Sequence, residues 1–259
     1  MSRVALLCLL SLCGCKKSEP TPAPFVPPTD GVRLPIPDRQ WAEGAPDEGW
    51  CGETSIQMAA LHYGAWVPQP VINALGRSTH VDLWEEDIPT ALDRLGLKYE
   101  RGPSTGRDQF LSWIIGHVRR GHPVIVGAKL FPTDHPDWDV DHLMPVVGFS
   151  ARGLVFNSNL DEGQVEVTWA ALGGRQSISF ASPTGKLYGF AILGFPDAGP
   201  RVALRVLEES AETLTLAVET DAVVLSRDDL DGGVTLTREK KLTIPRTQSA
   251  RFSAQAGGR

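Results

Sequence analysis

The chain has 259 residues, 42% hydrophobic and 22% charged, the composition of an ordinary globular protein with one sizeable core and a small second unit. Its formal net charge of -6 leaves no electrostatic footprint for nucleic acid, so that class of partner is excluded.

Taken in order, the chain begins with Arg3 and an apolar run, Val4 to Leu12. That run is too short to span a membrane and has the form of a signal-peptide core, making residues 1–14 a removable leader. Leu12-Cys13-Gly14-Cys15 resembles the lipobox of bacterial lipoproteins. The resemblance implies lipid on Cys15, export, and attachment to the cell envelope through that lipid. Lys16, where an inner-membrane sorting signal would place Asp, implies the outer membrane. Residues 15–31 carry Pro20, Pro22, Pro24, Pro27 and Pro28, the composition of an extended tether. With Cys8 and Cys13 removed and Cys15 lipidated, Cys51 is the one thiol left, and an unpaired thiol in an exported chain is potentially reactive.

The body spans 32–198 and has helical patterns first and strands after, which predicts an α+β domain. Val32 to Leu34 opens as a short extended segment. Gly49-Trp50-Cys51-Gly52 then leads into a helix in which Ile56, Ala59, Ala60 and Tyr63 recur at helical spacing and Gly64 supplies the stop. Cys51 thereby sits at a helix N-terminus, where unpaired N–H groups favour a thiolate; the acidic Asp47 and Glu48 oppose one. His62 falls near the end of this helix, where a cation suits the dipole. Further helices are predicted at Pro68 to Leu75, Glu85 to Leu95 and Phe110 to Val118.

Strands follow at Pro123 to Gly127, Leu143 to Phe149 and Leu154 to Asn159, the last two joined by a turn at 150–153. Others are expected at Val165 to Trp169, Ser177 to Ala181 and Leu187 to Leu193. If Phe149 pairs with Leu154, unbroken alternation places His142, Asn157, Asn159 and Asp161 on one face, with Asn159 within reach of His142. An amide there can hold an imidazole in one orientation, the third part of a nucleophile–base–orienter arrangement. The loop before His142, with Asp134, His135, Asp137, Asp139 and Asp141, matches no metal-ligand spacing and is expected to be a solvated acidic loop. Where it borders the site, its charge favours a basic substrate.

Three passages together resemble the papain-like cysteine peptidases, closest to the bacteriocin-processing (double-glycine leader) peptidases and their stand-alone relatives. They are Trp50-Cys51-Gly52 with its helix, Gly121-His122-Pro123-Val124-Ile125-Val126, and Asp141-His142 through Gly148 to Asn159. The resemblance covers roughly Leu34 to Phe195 and implies Cys51 as nucleophile, His142 as general base and acid, and Asn159 as the orienting residue, with Asn157 as the alternative. It also implies Gln40 in the oxyanion hole, although Gln40 lies further from the nucleophile than the family pattern has it. The double-glycine peptidases usually place Asp-Pro where this chain has Asn159-Leu160, and no transporter segments accompany the domain. The implied activity is cleavage of peptide or isopeptide bonds in a peptide or protein substrate, with no cofactor and no metal. A cell-wall amidase of similar Cys–His chemistry and an inactive peptide-binding module are the alternatives.

From 199 to 259 the pattern turns to short alternating runs, Val202 to Leu207, Thr213 to Val218, Val223 to Leu225, Val234 to Thr237 and Leu242 to Ile244. These predict a small β-rich unit, marginal on its own, that packs on the preceding domain or binds a partner.

Overall fold

A computed structural model describes residues 24–255 except 48, 77–78, 131–132, 161–162, 175–177, 197–198, 222–223 and 229–239. The leader, Cys15 and most of the tether lie outside the described residues, as do Asp161 and the strand expected at Val234 to Thr237. Among the described residues no helix is long and apolar enough to cross a membrane.

After a two-residue strand β1 (Val32–Arg33), the first half is mainly helical: α1 (Cys51–His62), β2 (Ala65–Trp66), α2 (Gln69–Gly76), α3 (Ile88–Leu95), β3 (Lys98–Arg101) and α4 (Arg107–Arg119). Strands β4 (Val124–Ala128), β5 (His142–Phe149), β6 (Gly153–Asn157), β7 (Gln164–Thr168) and β8 (Gly189–Gly194) follow. They join β3 in an antiparallel sheet of order β3-β8-β4-β5-β6-β7, with β1 paired to the end of β5. The architecture is α+β. Its central strands β4 and β5 are buried at every position, as their runs of Val, Ile and Leu require, whereas β7 alternates at the sheet edge.

The sequence pattern marks α1 as amphipathic, but it is buried on all sides from Gly52 to His62. Met58 enters the core under the large sheet, Ile56, Ala59 and Ala60 enter the core shared with α3, and Leu61 enters a third core with the C-terminal strands. The polar residues of the helix survive burial because each finds a backbone partner. Thr54 Oγ1 donates to Trp50 O at 2.7 Å and Gln57 Nε2 donates to Val67 O at 2.8 Å. At the far end His62 donates from Nε2 to Gly121 O and accepts from Arg201 at Nδ1. Burial pushes its pKa down to about 4, so it is a neutral linker and not the dipole-paired cation its position suggests.

The hairpin of β5 and β6 pairs Phe149 with Leu154 and Gly148 with Val155, as alternation predicts. A bulge at Val147 then shifts the register, so that Val146 faces Phe156. The shift turns Asn157 away from the His142 face. Of the strand expected at Ser177 to Ala181, the described residues make an isolated bridge, Ser179 to Lys129.

The C-terminal strands β9 (Ala203–Glu209), β10 (Thr213–Glu219), β11 (Val224–Asp228), β12 (Lys241–Pro245) and β13 (Ala250–Gln255) form two small sheets, β12-β10-β9 and β11-β13-β2. The second sheet includes β2 from the helical half, with Ala250 opposite Trp66. Gly64 lets the two parts approach: its φ is +79°, and a Cβ there would come within 2.8 Å of Phe252 O. Trp66 and Leu61 complete an apolar cluster with Leu204, Leu214, Leu216 and Phe252.

Candidate active site

Cys51 is the first residue of α1, and His142 is the first residue of β5. Asn159 lies two residues beyond the end of β6, with a left-handed backbone at φ +50° that turns its side chain inward. Its Nδ2 donates to Leu143 O at 2.9 Å and lies 3.3 Å from Ser55 Oγ and 3.4 Å from Cys51 O. Ser55, one turn along α1 from Cys51, also reaches both elements, at 2.7 Å from Cys51 O and 3.2 Å from Leu143 O. One amide and one hydroxyl therefore fasten the Cys51 helix to the His142 strand.

The buried His142 ring places Nε2 2.9 Å from Ser158 O. A carbonyl only accepts, so Nε2 carries the proton and Nδ1 is the basic nitrogen. Burial lowers the imidazole pKa, while the Ser158 carbonyl, the Asp141 charge and the Asn159 side chain pull it back up. Cys51 shows the opposite displacement. Burial pushes its thiol up to about 12, with the charges of Glu53 and Asp82 adding to that, against backbone hydrogen bonding at Leu143 and Gly52. The helix N-terminus alone favours a thiolate, but here desolvation and two carboxylates outweigh it. At rest the site holds a neutral thiol and a neutral imidazole. The ring's hydrogen bond goes to Ser158 and not to the sulfur.

Asn157, the alternative orienting residue, does not serve the imidazole. Its Nδ2 donates to Ile36 O and Pro37 O at 3.1 and 3.0 Å, and its Oδ1 accepts from Gln164. It pins the 36–37 segment to the sheet. Gln40 is exposed, and its amide donates to Asp38 Oδ2. Asp38 also accepts from the Asn159 backbone N–H at 3.2 Å, so Gln40 is linked to the site through a shared carboxylate and does not itself point at the thiol. Burial raises the Asp38 pKa.

Sequence reasoning missed Trp41. Its Nε1 donates to Asn159 Oδ1 at 3.2 Å, and its ring lies where a Cβ on Gly49 would be, 2.3 Å away. Gly49, at φ +84°, is thus required both for its turn and for the indole packed on it. Residues 38–42 form a strap across this side: Gln69 accepts from Ala42 N and donates to Gln40 O. Arg39 extends the strap to the C-terminal strands, pairing with Glu209 Oε2 at 2.7 Å while Arg246 takes Oε1 at 2.9 Å. The Arg39 guanidinium also lies over the Trp66 ring, 5.4 Å from its centre. A cleft of about 490 Å³ runs between strap and C-terminal strands, lined by Asp38, Trp41, Gln57, Trp66 and Glu209 but not by Cys51.

Glu53 was also overlooked, although it lies two residues from Cys51. It is fully buried, with Oε1 accepting from Asn73 Nδ2 at 2.7 Å and Leu83 N at 2.9 Å, and Oε2 unpartnered. Burial pushes its pKa up to about 7. In the loop before His142, Asp141 forms a buried ion pair with Lys129 at 3.2 Å and Asp139 accepts from Thr184. No group of three or more His, Cys, Asp and Glu side chains among the described residues is placed to hold a metal ion. Comparisons of the chain with protein-family models, with curated proteins and with solved structures gave no match.

Proposed function

We propose that this protein is a papain-like cysteine peptidase, held at the bacterial cell envelope by lipid on Cys15, that cleaves peptide or isopeptide bonds with Cys51, His142 and Asn159. The observation that supports this reading best is the Asn159 side chain, which joins the start of α1 to the start of β5 and so holds nucleophile and base in one frame.

In this mechanism the Cys51 thiol attacks the scissile carbonyl carbon as its proton passes to Nδ1 of His142. Backbone N–H groups at the start of α1 stabilise the oxyanion, joined by Gln40 if its amide leaves Asp38. Collapse of the intermediate breaks the C–N bond, and the imidazolium gives its proton to the departing amine. Water then adds to the thioester carbonyl with His142 as base, releasing the acid and restoring the thiol. Because both partners start neutral, the proton moves during attack and no ion pair is stored beforehand.

The same neutrality favours a second reading, a binding module that keeps the arrangement without turnover. Digestion of a peptide library by the full chain, with Cys51→Ala and His142→Ala alongside, separates the two. Cleavage products lost in both variants support the peptidase; no cleavage by the wild-type chain, or equal cleavage by Cys51→Ala, sinks it. A neutral thiol further predicts slow alkylation by iodoacetamide at pH 7, rising about tenfold per pH unit.

A further inference from the structure

Two loops, one before α3 and one before β5, share an apolar cluster with Cys51. Leu83, from the loop before α3, packs against Gly52, and Leu83, Cys51 and Val140 belong to one apolar cluster. Val140 is two residues before His142. The loops also meet electrostatically: the Asp139 and Glu86 charges add to the burial that raises the Glu85 pKa, and Glu85 bonds Tyr188. Asp82 acts directly on Cys51.

Each loop carries an exposed tryptophan, Trp84 at 46% and Trp138 at 54% exposure, on a molecule that buries most of its large apolar side chains. Neither indole is loose. His80 stacks on Trp84 with ring centres 3.5 Å apart, and His135 stacks on Trp138 at 4.0 Å. Trp84 Nε1 also donates to Asp82 Oδ1 at 3.2 Å. Each ring therefore has one face braced and substantial surface left open, a pre-organised apolar contact on each loop.

We propose that this rim docks a basic, extended peptide segment, with lysine or arginine side chains over Trp84 and Trp138 and against Glu85 and Glu86. The proposal rests on the reading of Cys51 and His142 as the chemical centre, because it makes the docked segment the substrate. Charge complementarity selects the occupant. Among the described residues, the lysines near these loops are already committed, Lys129 to Asp141 in a buried pair and Lys186 to the field of Asp139. Indole faces beside carboxylates attract ammonium and guanidinium groups and repel acidic chains. A free metal cation is disfavoured, since no three carboxylates among the described residues converge.

The test uses the full chain with Cys51→Ala, so that binding is read without turnover, and two fluorescein-labelled peptides of equal length, alternating Lys-Ala and alternating Glu-Ala. Fluorescence anisotropy should show the basic peptide binding at least about tenfold more tightly, with the margin shrinking at high salt. Trp84→Ala and Trp138→Ala should each weaken it by about tenfold, with unchanged urea midpoints. Equal affinity for the two peptides, no binding of the basic one, or an unaltered affinity in the double tryptophan variant overturns the docking surface. Wild-type chain with the same peptides keeps the two readings apart. Tight, tryptophan-dependent binding without cleavage supports the rim and overturns the peptidase alone. Cleavage of both peptides at equal rates supports the peptidase and overturns the rim.

Discussion

The two sides of the Cys51 site are built on different principles. On the strap side, polar atoms of Trp41, Asp38, Asn159 and Gln69 are matched to partners, and the chain is clasped from behind by Arg39, Glu209 and Arg246. On the rim side, Trp84 and Trp138 stand exposed between acidic residues, braced only on one face. A matched network fixes geometry, and open aromatic surface beside charge makes contact with something else. The contrast teaches that positioning and recognition are divided between opposite walls. Strap variants should therefore alter turnover and stability together, and rim variants should alter binding alone.

The largest effect is expected at Asn159, where strap, α1 and β5 meet on one side chain. Asn159→Ala takes one of two side-chain donors from Leu143 O, leaves Trp41 Nε1 without its partner and puts Ala in a left-handed backbone. Urea unfolding should register a loss of about 2–4 kcal/mol. Peptide turnover should fall by about a hundredfold or more. Full turnover in a stably folded variant would remove Asn159 from the site.

Glu53 sits where the rim loop is fastened to α1, and it makes stability depend on pH. Its folded-state pKa is raised from 4.5 to about 7, so the folded chain holds the extra proton between those values. Its contribution is present below pH 4.5 and lost as pH rises through 7, a change of at most about 3 kcal/mol. His62 acts in the opposite sense. With its pKa lowered from 6.5 to about 4, it stabilises above pH 6.5 and loses that contribution as pH falls through 4. The two slopes offset in the wild-type chain. Glu53→Gln removes the Glu53 slope, so its urea midpoints should climb more steeply from pH 5 to 7 than those of the wild-type chain. Parallel profiles for the two proteins would contradict the buried ionisable Glu53.

Trp41→Phe keeps an aromatic ring against Gly49 and removes only the Nε1–H donated to Asn159. A reduction in kcat of about tenfold, with less than about 1.5 kcal/mol lost in unfolding, is expected. A change confined to KM would place Trp41 in substrate contact instead. Glu209→Gln loosens the clasp between strap and C-terminal strands. Since its ion pairs are partly exposed, about threefold in kcat is the expected scale, diminishing at high salt. The smallest effect belongs to the rim, where Trp84→Ala should leave stability within about 0.5 kcal/mol. A larger loss would mean the ring supports the fold and blur the division between the walls.

Much of this frame is carried by local pattern. The helical spacing after Cys51, the apolar runs of β4 and β5, the turn at 150–153 and the position of His142 at a strand start all follow from residues near one another in the chain. The single thiol in the body is visible in the same way. Local pattern also marks two asparagines, Asn159 as first choice and Asn157 as the alternative, and leaves open which way each side chain turns.

That decision belongs to the tertiary structure. One extra residue at Val147 rotates β6 relative to β5, sending Asn157 to the 36–37 segment, and a left-handed backbone returns Asn159 to the site. The raised thiol pKa, the Trp41–Asn159 bond and the β2–β13 pairing are likewise products of distant segments meeting. Element type depends on side-chain periodicity over a few residues, which the sequence contains by itself. Register, desolvation and the choice of partner depend on which remote surfaces are buried together, and only the folded chain decides those.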